Sequence, residues 1–461
     1  MSSFRNPIFL YKIAKCHVTD TKRIWTCNEG QLKKLQDKAI KRIVKYANTV
    51  PLYQKKFKEY GIKPEDIKGI QDITKLPIIS KDDLRAHYPD EIIPKNFDKK
   101  DAFLLSTSGS TGEPVFMYYD RFTAIKILEG YVRALKAFGG DWRKSRIALI
   151  VDIKPGSIEH AAFTDCIPSS FKKLLSLKNQ KIIYVGEKTE KILDELDRFN
   201  PDFIGSDPIM VKKLADLKSK GFGRNVNPKA MSCSGSILDK YSKDFVEKTF
   251  GCKLYNIYAT TETGVIAFEC KNNKHYHVNS DFVYVEYVDN DNNLLPPGKK
   301  GNIVVTRLFG NGTPIIRYSG LGDVVKPIVG ECGCGIEFCQ MIEYIEGRSM
   351  EMIILPDGSE LAPFDVTTIP ATVMNRLNSF KIKQFQIIQH KTNYIEVLIV
   401  IDEKQRKQGP SVEKIKQEIK KEFLEKTGDK VKTEVNEVDE IEKDIRTDHV
   451  KLLISKVKRK K

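Results

Sequence analysis

The sequence predicts two domains, a large α/β domain followed by a small α+β domain. With 461 residues, the chain is longer than a single hydrophobic core usually requires. In its first part, short apolar segments alternate with stretches at helical spacing, as in a parallel α/β sheet. The pattern changes to hairpins near residue 281, and beyond Arg348 to a few mixed strands and a helix. We therefore expect one domain at residues 1–346 and a second at residues 347–461.

The spacing of apolar residues predicts the helices and strands of the first domain. Residues 31–48 carry apolar side chains three and four positions apart, which predicts an amphipathic helix that ends before Pro51. A second helix is predicted at about 121–138. The apolar segments 146–153 and 181–186 have the length of buried parallel strands. This alternation is the main reason to expect an α/β sheet.

The later part of the chain has a different pattern. Alternating apolar residues flank a turn rich in Asn, Pro and Gly between residues 281 and 309, which predicts a β-hairpin. The small domain should contain a strand pair near 351–361, a strand at 393–402, a charged helix at about 411–427 and a final strand near 431–438.

The composition is that of a globular protein from a reducing compartment. Hydrophobic residues make up 41% of the chain, and no apolar run approaches the roughly 20 residues that cross a bilayer. The N-terminus lacks the apolar segment and cleavage site of a secretory signal. Nine cysteines without the spacing of a disulfide framework favour reduced thiols. We therefore expect a cytoplasmic protein.

The net charge of +16 suits a polyanion such as nucleic acid, a membrane surface, ATP or coenzyme A. A dense basic cluster at 456–461 ends the chain, where a solvated tail is the simplest interpretation. No zinc-finger, RNP or helix-turn-helix signature is present. The charge alone does not indicate which of these ligands binds. Because no such signature is present, nucleic-acid binding is a minority hypothesis.

A loop rich in Gly, Ser and Thr lies between two apolar segments. Glycines and small hydroxyl residues let backbone N–H groups and hydroxyls converge on phosphate oxygens. The loop lacks the Gly-Lys-Ser/Thr ending of a Walker loop, which disfavours a P-loop NTPase. It also lacks the Gly-x-Ser-x-Gly elbow of a serine hydrolase. The loop is a candidate phosphate site formed by Thr107, Ser108, Gly109, Ser110, Thr111 and Gly112.

Together with two later segments, this loop resembles the adenylate-forming (AMP-binding) synthetases. The later segments are Tyr-Ala-Thr-Thr-Glu-Thr-Gly from Tyr258 and Arg-Tyr-Ser-Gly-Leu-Gly-Asp from Arg317. Within that superfamily the chain is similar to the phenylacetate–coenzyme A ligase-like group, which includes capsule-biosynthesis relatives; residues 44–89 also resemble its N-terminal region. The resemblance implies a large adenylation domain and a mobile C-terminal lid, with the active site between them. It also implies activation of a carboxylic acid by ATP to an acyl-adenylate and transfer of the acyl group to coenzyme A.

The resemblance assigns roles to residues of the first two segments. The loop would handle the ATP phosphates, although Glu113 stands where the family often has Lys. Tyr258 would lie along the adenine, Thr261 would bind the α-phosphate and Glu262 would hold Mg²⁺. A metal and hydrogen-bond donors are what an attack on the α-phosphate needs, because they neutralise the developing charge.

Three further residues are assigned by the same resemblance. Asp323 matches the Asp that binds both ribose hydroxyls, and its two oxygens suit that task, although the motif here has one extra residue. Arg348 matches the hinge arginine that contacts the nucleotide, without the Asp pair that usually follows. Lys451 is the candidate catalytic lysine of the lid, preceded by Val450 in place of Gly.

Cysteines and histidines in segments 270–277 and 332–335 form a candidate zinc site. Thiolates and imidazoles are preferred zinc ligands, and a Cys-x-Cys-Gly knuckle lets two sulfurs face one ion. Some members of the ligase group carry similar positions that bind a structural zinc. The resemblance therefore implies four ligands, Cys270, His277, Cys332 and Cys334. His275 is a less suitable histidine, and Cys339 is a rival fourth ligand.

Two alternative functions stay open. An adenylate-forming enzyme that uses an amine, a hydroxyl or a carrier-protein thiol as acceptor would share every nucleotide motif. The basic charge and the departures from the motifs also leave open a second alternative, a non-catalytic scaffold held together by zinc or a nucleic-acid-binding protein. The main hypothesis implies a carboxylic acid, ATP, Mg²⁺ and coenzyme A as ligands, with no nucleic acid and no membrane span. A homodimer is a candidate assembly.

Overall fold

The structure is a computed structural model that describes most of the chain. The described residues are 6–107, 114–153, 177–235, 238, 240–272, 275–289, 291–346, 353–361, 363–379, 381–403, 405–442 and 453–457. The helices are α1 (Pro7–Thr26), α2 (Glu29–Ala47), α3 (Pro51–Glu59), α4 (Lys81–His87), α5 (Arg121–Ala137), α6 (Thr189–Phe199), α7 (Pro208–Ser219), α8 (Lys240–Phe250), α9 (Pro363–Thr367), α10 (Ile369–Arg376) and α11 (Val412–Thr427).

The strands form one large sheet and three smaller ones. They are β1 (Ala102–Ser106), β2 (Phe116–Asp120), β3 (Ile147–Val151), β4 (Gln180–Tyr184), β5 (Phe203–Ser206), β6 (Ala230–Ser234), β7 (Lys253–Thr260), β8 (Gly264–Glu269), β9 (Tyr276–Val278), β10 (Val283–Val288), β11 (Gly301–Arg307), β12 (Val324–Ile328), β13 (Met341–Glu346), β14 (Ile353–Ile354), β15 (Glu360–Leu361), β16 (Ile382–Lys391), β17 (Tyr394–Ile401), β18 (Lys432–Glu437) and β19 (Leu453–Ser455).

The large sheet has eleven strands in the order β10-β11-β12-β13-β9-β8-β7-β6-β5-β3-β4. Strands β3 to β7 are parallel, and the sheet becomes antiparallel where β8 pairs with β7. Helices α6, α7 and α8 pack on the parallel strands through apolar residues such as Ile192, Val211 and Val246. The predicted α/β class is thus confirmed, and the predicted hairpin is the antiparallel pair β10–β11.

The last part of the chain has its own sheet and core. Its four strands are ordered β18-β17-β16-β19, with β16 and β17 antiparallel and the outer two strands parallel to their neighbours. Helix α11 packs on this sheet through Ile415, Ile419 and Phe423. Phe116, from β2 of the first part, joins the same core. The boundary at 346/347 stays a prediction, because residues 347–352 lie outside the described ranges.

The local predictions agree with the structure where sequence signals are strong. The predicted helices at 31–48 and 121–138 are α2 and α5, and the predicted strands 146–153 and 181–186 contain β3 and overlap β4. Helix α2 begins after Asn28, whose side chain accepts a hydrogen bond from the Gln31 backbone N–H. In the described ranges, no helix has the length and apolar character that crossing a membrane requires.

Candidate active site and metal centre

The turn between β7 and β8 carries the predicted metal-binding carboxylate. Thr261 and Glu262 lie at the end of β7, where the chain reverses into the antiparallel strand β8. The hydroxyls of Thr260 and Thr263 are 2.9 Å apart and close the turn. Glu262 is only 5% exposed, and the Tyr318 hydroxyl donates a hydrogen bond to its Oε1 at 3.3 Å. A buried carboxylate held in one orientation suits coordination of a cation.

Asp323 lies beside Tyr258, although the two residues are 65 positions apart in the chain. The Tyr258 hydroxyl donates to Asp323 Oδ2 at 2.7 Å, and the Ile303 N–H donates to the Asp323 carbonyl at 3.0 Å. The structure therefore brings together the two residues that were assigned to adenine and ribose.

Two glycines follow Tyr318 in the Arg317–Asp323 motif, which has one extra residue. A Cβ atom on Gly320 would lie 2.2 Å from the Tyr318 ring, so only glycine fits there. Gly322 has a φ of +68°, which glycine adopts at little cost. Despite the extra residue, Asp323 accepts the hydrogen bond from the Tyr258 hydroxyl.

Arg317 holds this segment to the rest of the fold. Its guanidinium forms an ion pair with Glu286 of β10 at 2.9 Å and donates to the Leu76 carbonyl at 2.6 Å. Both side chains of the pair are buried. Burial raises the pKa of Glu286, and Arg317 opposes that shift. These contacts indicate an anchoring role for the arginine of the motif.

Thr107 is the first residue of the predicted phosphate loop. Its N–H donates to the Val115 carbonyl at 2.9 Å, and its hydroxyl accepts from the Val115 N–H at 3.0 Å. This pair of bonds lies next to the antiparallel strands β1 and β2. The hydroxyl of Thr107 thus holds the two ends of the loop together. The loop residues themselves, Ser108 to Gly112, lie outside the described ranges, as do Arg348 and Lys451.

The four predicted zinc ligands converge. One ligand atom from each of Cys270, His277, Cys332 and Cys334 lies within 4.8 Å of all the others. Cys270 follows β8 and His277 lies in β9, whereas the other two cysteines come from the loop between β12 and β13. Two thiolates from a knuckle, a third thiolate and an imidazole match the donor set of a closed structural zinc site.

Two glycines shape the knuckle. Gly333 and Gly335 have φ values of +67° and +89°, in the left-handed region that glycine tolerates best. They turn the chain tightly enough for Cys332 Sγ to lie 3.4 Å from Cys270 Sγ, while Cys334 Sγ lies 3.1 Å from His277 Nε2. The spacing of this knuckle is the sequence signal that pointed to the site.

The two nitrogens of His277 face different cysteines. Nε2 faces Cys334, and Nδ1 lies 3.2 Å from Cys339 Sγ. Burial, with a smaller contribution from His275, lowers the pKa of His277 to about 4, so its ring is neutral at pH 7, as a metal ligand must be. Cys339 is therefore placed behind the histidine, where it can orient the ring. This geometry favours His277 over Cys339 as the fourth ligand.

Comparisons with known proteins show which proteins this chain resembles. The family model "AMP-binding enzyme" matches residues 175–308. The chain is 27% identical over 360 residues to a phenylacetate-coenzyme A ligase of Thermus thermophilus, covering 75% of this chain and 76% of the relative. It is 25% identical to the Escherichia coli enzyme of the same name, covering 73% and 76%. Protein CapK of Staphylococcus aureus is 24% identical, covering 92% of this chain and 90% of its own.

Solved structures show the same fold. A 2-hydroxyisobutyryl-CoA ligase in complex with 2-HIB-AMP and CoA, in the thioesterification state, aligns with a TM-score of 0.63 at 20% identity, covering 94% of this chain and 91% of that one. The same ligase in the postadenylation state aligns with a TM-score of 0.59 at 20% identity, covering 92% and 89%. The alignments extend into the small C-terminal sheet, since they leave out less than a tenth of the chain.

Proposed function

From its similarity to the adenylate-forming synthetases of the phenylacetate–coenzyme A ligase-like group, we infer that this protein is an ATP-dependent acyl-coenzyme A ligase. The observation that carries this conclusion is the convergence of two separate segments of the chain, since Tyr258 and Glu262 of the first are hydrogen-bonded to Asp323 and Tyr318 of the second, respectively. A scaffold or a nucleic-acid-binding protein would have no need for this grouping. The expected ligands are a carboxylic acid, ATP and coenzyme A.

The reaction has two half-reactions. In the first, an oxygen of the substrate carboxylate attacks the α-phosphorus of ATP, the bond to the β-phosphate oxygen breaks and pyrophosphate leaves. In the second, the thiolate of coenzyme A attacks the acyl carbon and AMP leaves. Adenylation is useful because AMP is a far better leaving group than hydroxide.

We assign the described residues to the nucleotide as follows. Tyr258 lies along the adenine and its hydroxyl orients Asp323, which accepts hydrogen bonds from the ribose hydroxyls. Thr261 donates to the α-phosphate, and Glu262 binds the Mg²⁺ that accompanies ATP. The metal and donors would stabilise charge that develops on the phosphate during the attack.

We further propose that the four converging cysteine and histidine side chains hold a structural zinc ion. Such an ion would tie the segment after β8, which continues the Thr261–Glu262 hairpin, to the loop after β12, the strand that directly follows Asp323. We also propose a cytoplasmic location, where thiols stay reduced. A homodimer is the proposed assembly, and light scattering of the purified protein will test it.

Acid-dependent exchange of labelled pyrophosphate into ATP, measured across a panel of aromatic, aliphatic and hydroxylated acids, tests the function. We expect exchange with at least one acid, followed by formation of an acyl thioester when coenzyme A is added. Exchange without thioester would identify a different acceptor, such as an amine, a hydroxyl or a carrier-protein thiol. No exchange with any acid would contradict the assignment.

Asp323→Ala is expected to weaken ATP binding because the ribose hydroxyls lose their acceptor. Hydrogen bonds to a charged group contribute about 1–3 kcal/mol, so Kd should rise roughly 5- to 150-fold. Isothermal titration calorimetry with ATP measures this change. Asp194→Ala, at an exposed position on α6, is the matched control and should bind ATP like the wild type. An unchanged affinity of the Asp323 variant would mean that another residue binds the ribose.

Lys451→Ala should slow the adenylation half-reaction by about 100- to 1,000-fold, the loss that follows removal of a group stabilising charge in a transition state. Thioester formation from supplied acyl-adenylate should change much less, because the α-phosphate no longer undergoes attack. Lys456→Ala, at a nearby lysine that begins the basic cluster 456–461, is the control. Wild-type rates of both half-reactions in Lys451→Ala would place the catalytic lysine elsewhere.

A further inference from the structure

Two side chains outside the predicted motifs hold the main chain of the Thr261–Glu262 turn. Arg307, the last residue of β11, donates from Nη1 to the Glu262 carbonyl at 2.9 Å. Tyr119, in β2, donates its hydroxyl to the Thr261 carbonyl. We propose that Arg307 and Tyr119 are positioning residues, which fix the turn so that Glu262 and Thr261 meet the metal and the α-phosphate in the right geometry. The role of these two residues rests on the proposed function.

The two residues form a single buried unit. Arg307 is 2% exposed and Tyr119 is 1% exposed, and the guanidinium carbon lies 4.6 Å from the centre of the Tyr119 ring. The second Nη group of Arg307 donates to the Thr313 carbonyl at 2.6 Å. A planar guanidinium can donate to two carbonyls at once from its two Nη groups, whereas the compact ammonium group of a lysine cannot reproduce this pair of donors.

The bonds connect parts of the site that are far apart in sequence. Tyr119 lies in β2, the strand that follows the predicted phosphate loop in the sequence, and its hydroxyl links this strand to the turn carrying Glu262. Arg307 links the turn to β11, and the Tyr318 backbone forms hydrogen bonds with Val305 of the same strand. Strand β2, the turn carrying Glu262 and the segment of Tyr318 are thereby connected through β11 and its arginine. Catalysis by positioning requires such connections, because small displacements of the reacting groups are costly in rate.

The positions of the donors distinguish this role from ordinary core packing. The two donors bind the carbonyls of consecutive peptide groups, the one between Thr261 and Glu262 and the one between Glu262 and Thr263. These two peptide groups lie on either side of the Glu262 Cα, so their orientation determines where the Glu262 side chain points. Glu262 then receives a third restraint from the Tyr318 hydroxyl on its carboxylate.

The test uses the full-length enzyme and two conservative variants. Tyr119→Phe removes the hydroxyl but keeps the ring that contacts Arg307. Arg307→Lys keeps the positive charge but loses the pair of planar donors. We expect the Mg²⁺ concentration for half-maximal pyrophosphate exchange to rise about 5-fold in the first variant, as for loss of one hydrogen bond. In the second we expect a fall in kcat of about 10- to 100-fold. The KM for ATP, measured at saturating Mg²⁺, should change little in either.

Tyr53→Phe is the matched control. Tyr53 is equally buried, and its hydroxyl donates to the Pro314 carbonyl at 2.8 Å, away from the turn. This variant should lose comparable stability and keep the wild-type Mg²⁺ requirement. If all three variants show the same Mg²⁺ dependence and the same kcat, the positioning role is refuted.

Amide hydrogen exchange of the peptide that covers residues 259–265 gives a readout that does not depend on activity. The amides of this turn should exchange faster in Tyr119→Phe and Arg307→Lys than in Tyr53→Phe. Unchanged exchange in the turn overturns the inference even if activity falls. If the wild type itself catalyses no pyrophosphate exchange with any acid, the proposed function fails, and the hydrogen-exchange result alone decides whether these residues hold the turn.

Discussion

Glu262→Gln is expected to lower acid-dependent ATP–pyrophosphate exchange at least about 100-fold, because it removes the negative charge that we propose binds Mg²⁺. The substitution changes little volume. The glutamine oxygen can still accept the hydrogen bond that the Tyr318 hydroxyl donates to Oε1 at 3.3 Å. The backbone bond from Arg307 to the carbonyl of residue 262 does not involve the side chain. The fold should therefore survive, and the effect should lie in the chemical step and in the requirement for Mg²⁺.

The measurement is exchange at saturating ATP over a series of Mg²⁺ concentrations, together with thermal unfolding of the same samples. Glu190→Gln, which makes the same change at an exposed position on α6, is the control. It should retain wild-type exchange. Near-normal exchange in Glu262→Gln, with an unchanged Mg²⁺ dependence, would show that this carboxylate does not bind the metal.

Removal of the zinc site is expected to have the second large effect, and this effect is on stability. The purified protein should contain about one zinc per chain, and Cys332→Ser combined with Cys334→Ser should contain none. Their sulfurs converge with Cys270 and His277 only in the folded chain, since the two segments are about 60 residues apart. At a free zinc concentration about 1,000-fold above Kd, the loss would cost about 4 kcal/mol of stability.

Elemental analysis and thermal unfolding measure both consequences. The matched control is Cys16→Ser combined with Cys27→Ser, which should keep its zinc. Both cysteines are half-buried; Cys16 lies in α1 and Cys27 directly follows it. Absence of zinc from native wild-type protein purified in metal-supplemented medium would refute the site. Zinc retained by the double variant would mean that other side chains bind it. Loss of zinc in Cys339→Ser but not in His277→Ala would make Cys339 the fourth ligand.

Local signals in the sequence were sufficient for several secondary-structure elements. The helix predicted at 121–138 is α5, which begins after Asp120, and the Asp120 side chain accepts a hydrogen bond from the Thr123 N–H at 2.8 Å. The helix predicted at about 411–427 is α11, which begins after the N-cap Ser411. Caps and apolar spacing act within a few residues, so they can be recognised without knowing the rest of the fold.

Other elements were not predicted, because their sequences lack a clear pattern. Strand β16 carries Gln389 at 0% exposure, in a strand where apolar residues would be expected. The structure explains this residue, because its side chain amide both donates to and accepts from the backbone of Ile354 in β14. The apolar spacing does not predict helix α1 either. Its apolar residues are spread around the helix, and Ile8, Tyr11 and Val18 are exposed.

The proposed nucleotide site and the proposed zinc ligands could be predicted from the sequence, because contiguous motifs carry the side chains on which both proposals rest. How those motifs are held together could be seen only in the folded structure. Tyr258 reaches Asp323 across 65 residues, Tyr119 reaches Thr261 across 142, and Arg307 reaches Glu262 across 45. Such bonds leave no periodic trace along the chain, because each depends on where the sheet places two distant strands.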